Sequence, residues 1–280
     1  SMIQKLILIA LSVVISTSFI LLPEAMADAN KKWSDSTETD KVRALLDKKE
    51  INEAIVLLDA QLKLHPEDIT AFNLLGDAYL KLGVPDESER FFGRALLIDS
   101  SDVEAMLGMA KASFLNDNFA KAKRFLLKSI ALKPDEKLAY GYLGQILIME
   151  GDIDEARKNF ESLLKIDPEN VDAMNNLGVL YQQAGNEFKA ESFLRKVVAL
   201  YPNDGIGYLN LGVLYGTMNR MHDAIVLLNK AATLTPRDKR VFQSLGTLYL
   251  QYKIYNEAGK NFLKALALDP LSVNARFGLV

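Results

Sequence analysis

Small residues and prolines recur every 34 positions through most of this 280-residue chain. One series comprises Gly76, Ala110, Gly144, Gly178, Gly212 and Gly246, and a second comprises Ala54, Ser88, Ala122, Ala156, Ala190, Ala224 and Ala258. A third series comprises Pro66, Ser100, Pro134, Pro168, Pro202, Pro236 and Pro270, and so contains six of the eight prolines of the chain. A fixed period of this length indicates an array of similar units, in which each unit is stacked on its neighbours.

The apolar residues between these markers have helical spacing. Phe72, Leu75 and Tyr79 fall at i, i+3 and i+7, which is one face of a helix. A small residue on that face lets a second helix approach closely, and proline ends the second helix because it cannot continue a helix interior. The pattern therefore predicts two helices per unit. Seven units fit without insertion: 35–68, 69–102, 103–136, 137–170, 171–204, 205–238 and 239–272.

This pattern resembles the tetratricopeptide repeat, whose signature combines an aromatic residue, Leu-Gly, Tyr, Ala, a bulky apolar residue, a small residue and Pro. The last unit matches it most fully, with Phe242, Leu245-Gly246, Tyr249, Ala258, Phe262, Ala265 and Pro270. The resemblance implies an all-α fold, a right-handed superhelical solenoid of about seven helix-turn-helix repeats. It also implies that the first helices of the repeats line a concave groove.

The resemblance further implies where a partner binds, because ligand contacts in this family come from the second, fifth, ninth, twelfth and thirteenth positions of a unit. The residues at these positions in the middle units are largely apolar, and a contiguous exposed apolar strip marks an interaction surface. The expected partner is therefore a protein or peptide with an apolar segment, although single side chains could instead pack between neighbouring helices. The predicted groove residues are Leu107, Lys111, Phe114, Leu138, Gln145, Ile148, Met149, Asn175, Val179, Gln182, Ile206, Leu209 and Val213.

Composition argues against several other functions. A net charge of −3 does not suit a nucleic-acid groove, which needs an excess of Lys and Arg. The sequence has no cysteine for a thiolate metal site or a nucleophile, and its two histidines, His65 and His222, lie far apart. We therefore predict no catalytic residue, no metal and no cofactor, and a protein-interaction scaffold rather than an enzyme. The alternative is the targeting or substrate-recognition half of a larger enzyme, such as a glycosyltransferase.

Residues 1–27 have the pattern of a secretory signal peptide, with Ser1 as the remnant of a tag. Lys5 precedes the apolar run of residues 6–22, Pro23 breaks that run, and Ala25-Met26-Ala27 has small residues where signal peptidase cleaves. The alternative is an uncleaved membrane anchor formed by residues 6–22, because a run of this length can span a bilayer. The leading hypothesis is an exported scaffold, periplasmic or envelope-associated, that assists assembly of an envelope complex. It would contact the membrane only if the segment is uncleaved.

The two ends of the repeat region give two further expectations. Residues 28–34 form a polar linker, in which Trp33 is expected to fold back onto the first unit. Residues 273–280 begin a truncated eighth unit. Because a repeat array needs a terminal cap, we expect Phe277, Leu279 and parts of Tyr249 and Phe262 to form an apolar edge that supports a homodimer.

Overall fold

The structure, a computed structural model, describes residues 36–272 together with 275, 276 and 278. The predictions on residues 1–35, including the signal peptide, the anchor and Trp33, lie outside the described residues. Within them the chain forms fourteen α-helices and no strand, which confirms the predicted all-α fold of helix-turn-helix repeats. The helices are α1 (Ser36–Asp47), α2 (Ile51–Leu64), α3 (Ile69–Lys81), α4 (Pro85–Ile98), α5 (Val103–Leu115), α6 (Phe119–Leu132), α7 (Lys137–Glu150), α8 (Ile153–Ile166), α9 (Val171–Gln183), α10 (Glu187–Leu200), α11 (Gly205–Thr217), α12 (Met221–Leu234), α13 (Lys239–Gln251) and α14 (Tyr255–Leu268).

The helices fall into two compact units. The N-terminal unit ends at Pro134 and holds α1–α6, and the C-terminal unit begins at Asp135 and holds α7–α14. Within each unit the two helices of a repeat pack together, and the second helix packs on the first helix of the next repeat. First helices of neighbouring repeats are also in contact, for example α3 with α5 and α11 with α13. Among the described helices, none has the length and hydropathy needed to cross a membrane.

The 34-residue period is enforced by large side chains that press against glycines. Phe92 is 1% exposed, and its ring faces Gly76 in its own repeat and Gly108 in the next. A Cβ atom on Gly76 would lie 2.5 Å from Cζ of that ring, and one on Gly108 would lie 2.1 Å from it. No real Cβ contact is that short, so both glycines are required where they stand. The ring of Phe160 packs against Gly144 in the same way.

The turn between the two helices of each repeat contains one left-handed residue. Three repeats have glycine there, Gly83, Gly151 and Gly185, with φ between 71° and 81°. In the other four repeats a non-glycine residue adopts the same conformation, with φ between 56° and 64°: Lys49, Asp117, Asn219 and Lys253. A left-handed residue after a helix turns the chain back while its amide satisfies a terminal carbonyl. The turn is therefore common to the repeats even where the glycine is missing from the sequence.

The C-terminal edge differs from its prediction at Phe262. This residue is 3% exposed, and a Cβ atom on Gly278 would lie 2.3 Å from Cε2 of its ring. Gly278 thus covers Phe262 as Gly108 covers Phe92, and Ala275 is fully buried. The expectation that Phe262 is part of an uncapped surface is wrong. Phe277 and Leu279 lie outside the described residues, and the homodimer stays a prediction.

Candidate interaction surface

The predicted groove residues lie on α5, α7, α9 and α11, and their exposure varies widely. Leu138, Met149 and Ile206 are exposed to 50, 59 and 41%, and Gln145 is also exposed. The remaining accessible members are half-buried: Lys111, Phe114, Ile148, Val179, Gln182 and Val213. Of these, Phe114 packs edge-to-face on Phe119, with 5.6 Å between ring centroids, and so contributes to the packing of its own repeat.

Three of the predicted residues are not on an accessible surface. Leu107 and Asn175 are 8% exposed and Leu209 is 4% exposed, so the prediction that they face a ligand is wrong. All three occupy the fifth position of a repeat. A charged substitution at Leu209 would therefore report on stability and not on binding, because it would place a charge in the packed interior.

Hydrogen bonds show what the fifth position does. The Asn175 Nδ2 donates to Oδ2 of Asp204 at 3.1 Å, and Asp204 in turn accepts the first backbone N–H bonds of α11. Asn73 donates to Asp102 in the same arrangement, at 2.7 Å. Where the fifth position is asparagine, its side chain thus links one first helix to the N-cap of the next, which stabilises the stacking of repeats.

The first helices of the N-terminal unit present a charged face. Arg43, Asp77 and Lys111 occupy the ninth positions of three successive repeats, and Glu104 lies 3.9 Å from Arg43. Burial raises the pKa of Asp77, and the neighbouring Lys111, Lys81 and Arg43 oppose that rise. Burial likewise raises the pKa of Glu104. Opposite charges on this face therefore already compensate one another.

The first helices of the C-terminal unit present a different surface, which we call the first-helix face. It consists of the second, fifth, ninth, twelfth and thirteenth positions of α7, α9, α11 and α13. At these positions only Asp172 and Arg240 carry a charge. Arg240 is paired with Asp238, with its Nη2 2.6 Å from Oδ2 and its Nε 3.0 Å from Oδ1. The accessible remainder consists of aliphatic, amide and hydroxyl side chains.

Two clefts interrupt the first-helix face. One, of about 270 Å³, lies between α7 and α9 and includes Leu138 and Gln145, so the structure brings these two predicted residues together. The other, of about 340 Å³, lies between α11 and α13 and includes only Val213 from the predicted set. Its other lining residues are Gly212, Gly216, Thr217, Leu228, Arg240, Gln243, Ser244, Thr247, Leu248 and Gln251.

The cleft between α11 and α13 was not predicted from the sequence, although the sequence contains a signal for it. Gly216 stands at the twelfth position of its repeat. The other six repeats have a long side chain at this position: Leu46, Leu80, Phe114, Ile148, Gln182 and Leu250. The missing side chain opens the space over Leu248, but this consequence appears only when α11 and α13 are placed side by side.

Among the described residues, no three His, Asp or Glu side chains come close enough to hold a metal ion. The surface is therefore made of helix faces and shallow clefts on a stack of helix pairs. These features define a helical-repeat protein of the kind that serves as a scaffold for protein–protein interactions.

Comparison with known families identifies the repeats. One model of the tetratricopeptide repeat matches residues 147–211, and a second matches residues 69–102 and 207–238. Tetratricopeptide repeat protein 21 homolog from Caenorhabditis elegans is 26% identical over 101 residues, which cover 36% of this chain and 8% of that protein. The matched residues of the chain are tetratricopeptide repeats.

Solved structures of low sequence identity share the fold. A chain of the APC/C hetero-tetramer Cut9-Hcn1 is 22% identical, with a TM-score of 0.72 over 85% of this chain and 47% of that chain. YrrB, described as a TPR protein with an unusual peptide-binding site, is 20% identical, with a TM-score of 0.52 over 66% of this chain and 96% of that chain. This chain thus spans less than half of the worm protein and of the Cut9-Hcn1 chain.

Proposed function

We propose that the first-helix face of the C-terminal unit binds a largely uncharged, apolar segment of a partner protein. The observation that carries this proposal is the near absence of charge on the first-helix face, in contrast to the charged face of the N-terminal unit. A charged segment would lose hydration on such a surface and could gain at most one counter-charge, that of Asp172, and this loss is costly. An apolar segment loses nothing comparable and buries the exposed side chains of Leu138, Met149 and Ile206.

The amide side chains of the face suit an extended backbone. Gln145 and Gln183 are exposed on α7 and α9, and each amide can both donate to and accept from a peptide group. Two relatives support a protein partner in general, since one belongs to a hetero-tetramer and the other is described with a peptide-binding site. We also propose that the protein is exported and serves as a scaffold that assists assembly of an envelope complex. This proposal rests on the sequence of residues 1–27.

Selection from a displayed dodecapeptide library on the purified chain tests the proposal. We expect the enriched peptides to be poor in Asp, Glu, Lys and Arg. The double variant Gln145→Glu, Thr247→Glu should weaken their binding about tenfold or more, which is at least 1.4 kcal/mol, and should shift a new selection towards basic peptides.

The matched control is Asn229→Glu, Asn256→Glu, which adds the same charge at exposed positions of second helices. It should leave both affinity and selection unchanged. Enrichment of highly charged peptides by the unaltered chain, or equal weakening by the control, would contradict the proposal.

A further inference from the structure

The cleft between α11 and α13 has a floor of a kind that the rest of the first-helix face lacks. Gly212 and Gly216 lie one helical turn apart on α11, so this side of the cleft combines helix backbone with the side chains of Val213 and Thr217. Val213, Leu228 and Leu248 complete an apolar floor. The volume of about 340 Å³ lies at the lower end of the range for ligand pockets, which suits a single large side chain and not a whole cofactor.

The polar groups at the rim leave mainly acceptors for a ligand. The amide nitrogen of Gln243 donates to Oγ of Ser272 at 2.5 Å, and that of Gln251 donates to Oδ1 of Asn219 at 3.2 Å. The carbonyl oxygens of both amides remain as acceptors, and the Ser244 and Thr247 hydroxyls lie beside them. Arg240, the one cation among the described residues of the rim, is paired with Asp238 and so already neutralised.

From this geometry we propose that the cleft binds one aromatic side chain that bears a hydrogen-bond donor, a tyrosine or a tryptophan of the partner segment. The flat ring lies against the backbone of α11 at Gly216 and against the apolar floor, while its O–H or N–H donates to a rim oxygen. An aliphatic side chain would cover the rim oxygens without donating to them, and a charged one would meet no free counter-charge. The proposal deepens the proposed function and rests on it for the source of the side chain.

The variant Gly216→Leu is expected to block the cleft without disturbing the fold. Leucine is the residue that α1, α3 and α13 have at this position, and it fills the cleft. The nearest atom to a Cβ on Gly216 is Cδ1 of Leu248 at 3.2 Å, the end of a flexible side chain that can move aside. Since leucine also favours helix more than glycine does, the melting temperature should be unchanged or higher.

The test uses N-acetyl-L-tyrosinamide as the probe and methyl NMR of Val213, Thr217 and Thr247 as the readout. We expect saturable shifts of these methyl groups at millimolar probe, at least tenfold weaker binding to Gly216→Leu, and unchanged binding to the control Gly93→Ala, a helical glycine in the N-terminal unit. N-acetyl-L-phenylalaninamide should bind severalfold more weakly than the tyrosine probe.

Equal binding of the two probes, or equal binding to Gly216→Leu, would overturn the assignment, as would shifts that do not saturate. This outcome can be told apart from failure of the proposed function. If uncharged peptides are selected and the tyrosine probe fails, the face binds a segment but the cleft is not an aromatic site. If the probe saturates and no uncharged peptide is enriched, the proposed function fails and the cleft stands.

Discussion

Replacement of Phe92 by alanine should lower the free energy of unfolding of the N-terminal unit by about 3–5 kcal/mol, the cost of removing a fully buried aromatic ring. The ring is 1% exposed and fills the space between the backbones of Gly76 and Gly108. Neither glycine has a side chain that could move into the void, and the two helices cannot close on it without shifting the neighbouring repeats. Urea unfolding followed by far-UV circular dichroism measures the effect.

The matched control is Phe92→Leu. Four other repeats have leucine at this position, Leu58, Leu126, Leu194 and Leu228, and all four are buried. Leucine keeps most of the apolar contact with the two glycines. The free energy of unfolding should therefore fall clearly less in Phe92→Leu than in Phe92→Ala. If the alanine variant loses less than about 1 kcal/mol, far below the range for a buried ring, the packing of rings on glycines does not hold the repeats together.

Replacement of Asp204 by alanine should cost about 1.5–5 kcal/mol, from two separate losses. Asp204 accepts from the backbone N–H of Ile206 at 3.1 Å and of Gly207 at 2.9 Å, and a lost N-cap costs about 0.5–2 kcal/mol. The second loss is the acceptor for the Nδ2 of the buried Asn175, and a buried polar group left without a partner costs about 1–3 kcal/mol.

Asp152→Ala separates the two contributions. Asp152 caps α8 by accepting from the backbone N–H of Glu155 at 3.4 Å, and it is exposed. Its replacement should cost only the cap. If Asp204→Ala proves no more destabilising than Asp152→Ala in urea unfolding, the bond from Asn175 adds nothing to the stacking of repeats.

Much of the fold could be predicted from the sequence because the determining contacts are local and repeated. Gly76 and Phe92 lie 16 residues apart within one unit, and the period reproduces the arrangement in the next units. The left-handed turns were predictable where glycine occupies them, as at Gly151, but not at Lys49 or Lys253, because those residues have no sequence preference for positive φ.

The candidate site could be predicted only in part. Burial of the fifth position depends on the packing of the next repeat: Asn175 donates to Asp204, 29 positions away, whereas Leu107 and Leu209 are buried without a hydrogen bond. The cleft over Leu248 depends on Gly216 of one repeat and on short side chains, Ser244 and Thr247, of the next. A pattern taken one unit at a time does not reveal either feature.

Site-directed crosslinking tests the central proposal, binding on the first-helix face, most directly. The chain has no cysteine, so each engineered cysteine is unique. Each cysteine is labelled with a benzophenone maleimide. Gln145→Cys and Thr247→Cys carry the label on the first-helix face. Val226→Cys and Leu263→Cys carry it on second helices, where the native side chains are 54 and 59% exposed. With a selected uncharged peptide, we expect covalent adducts from the first pair and background levels from the second. Adducts that form equally at all four positions, or preferentially at 226 and 263, would contradict binding on the first-helix face.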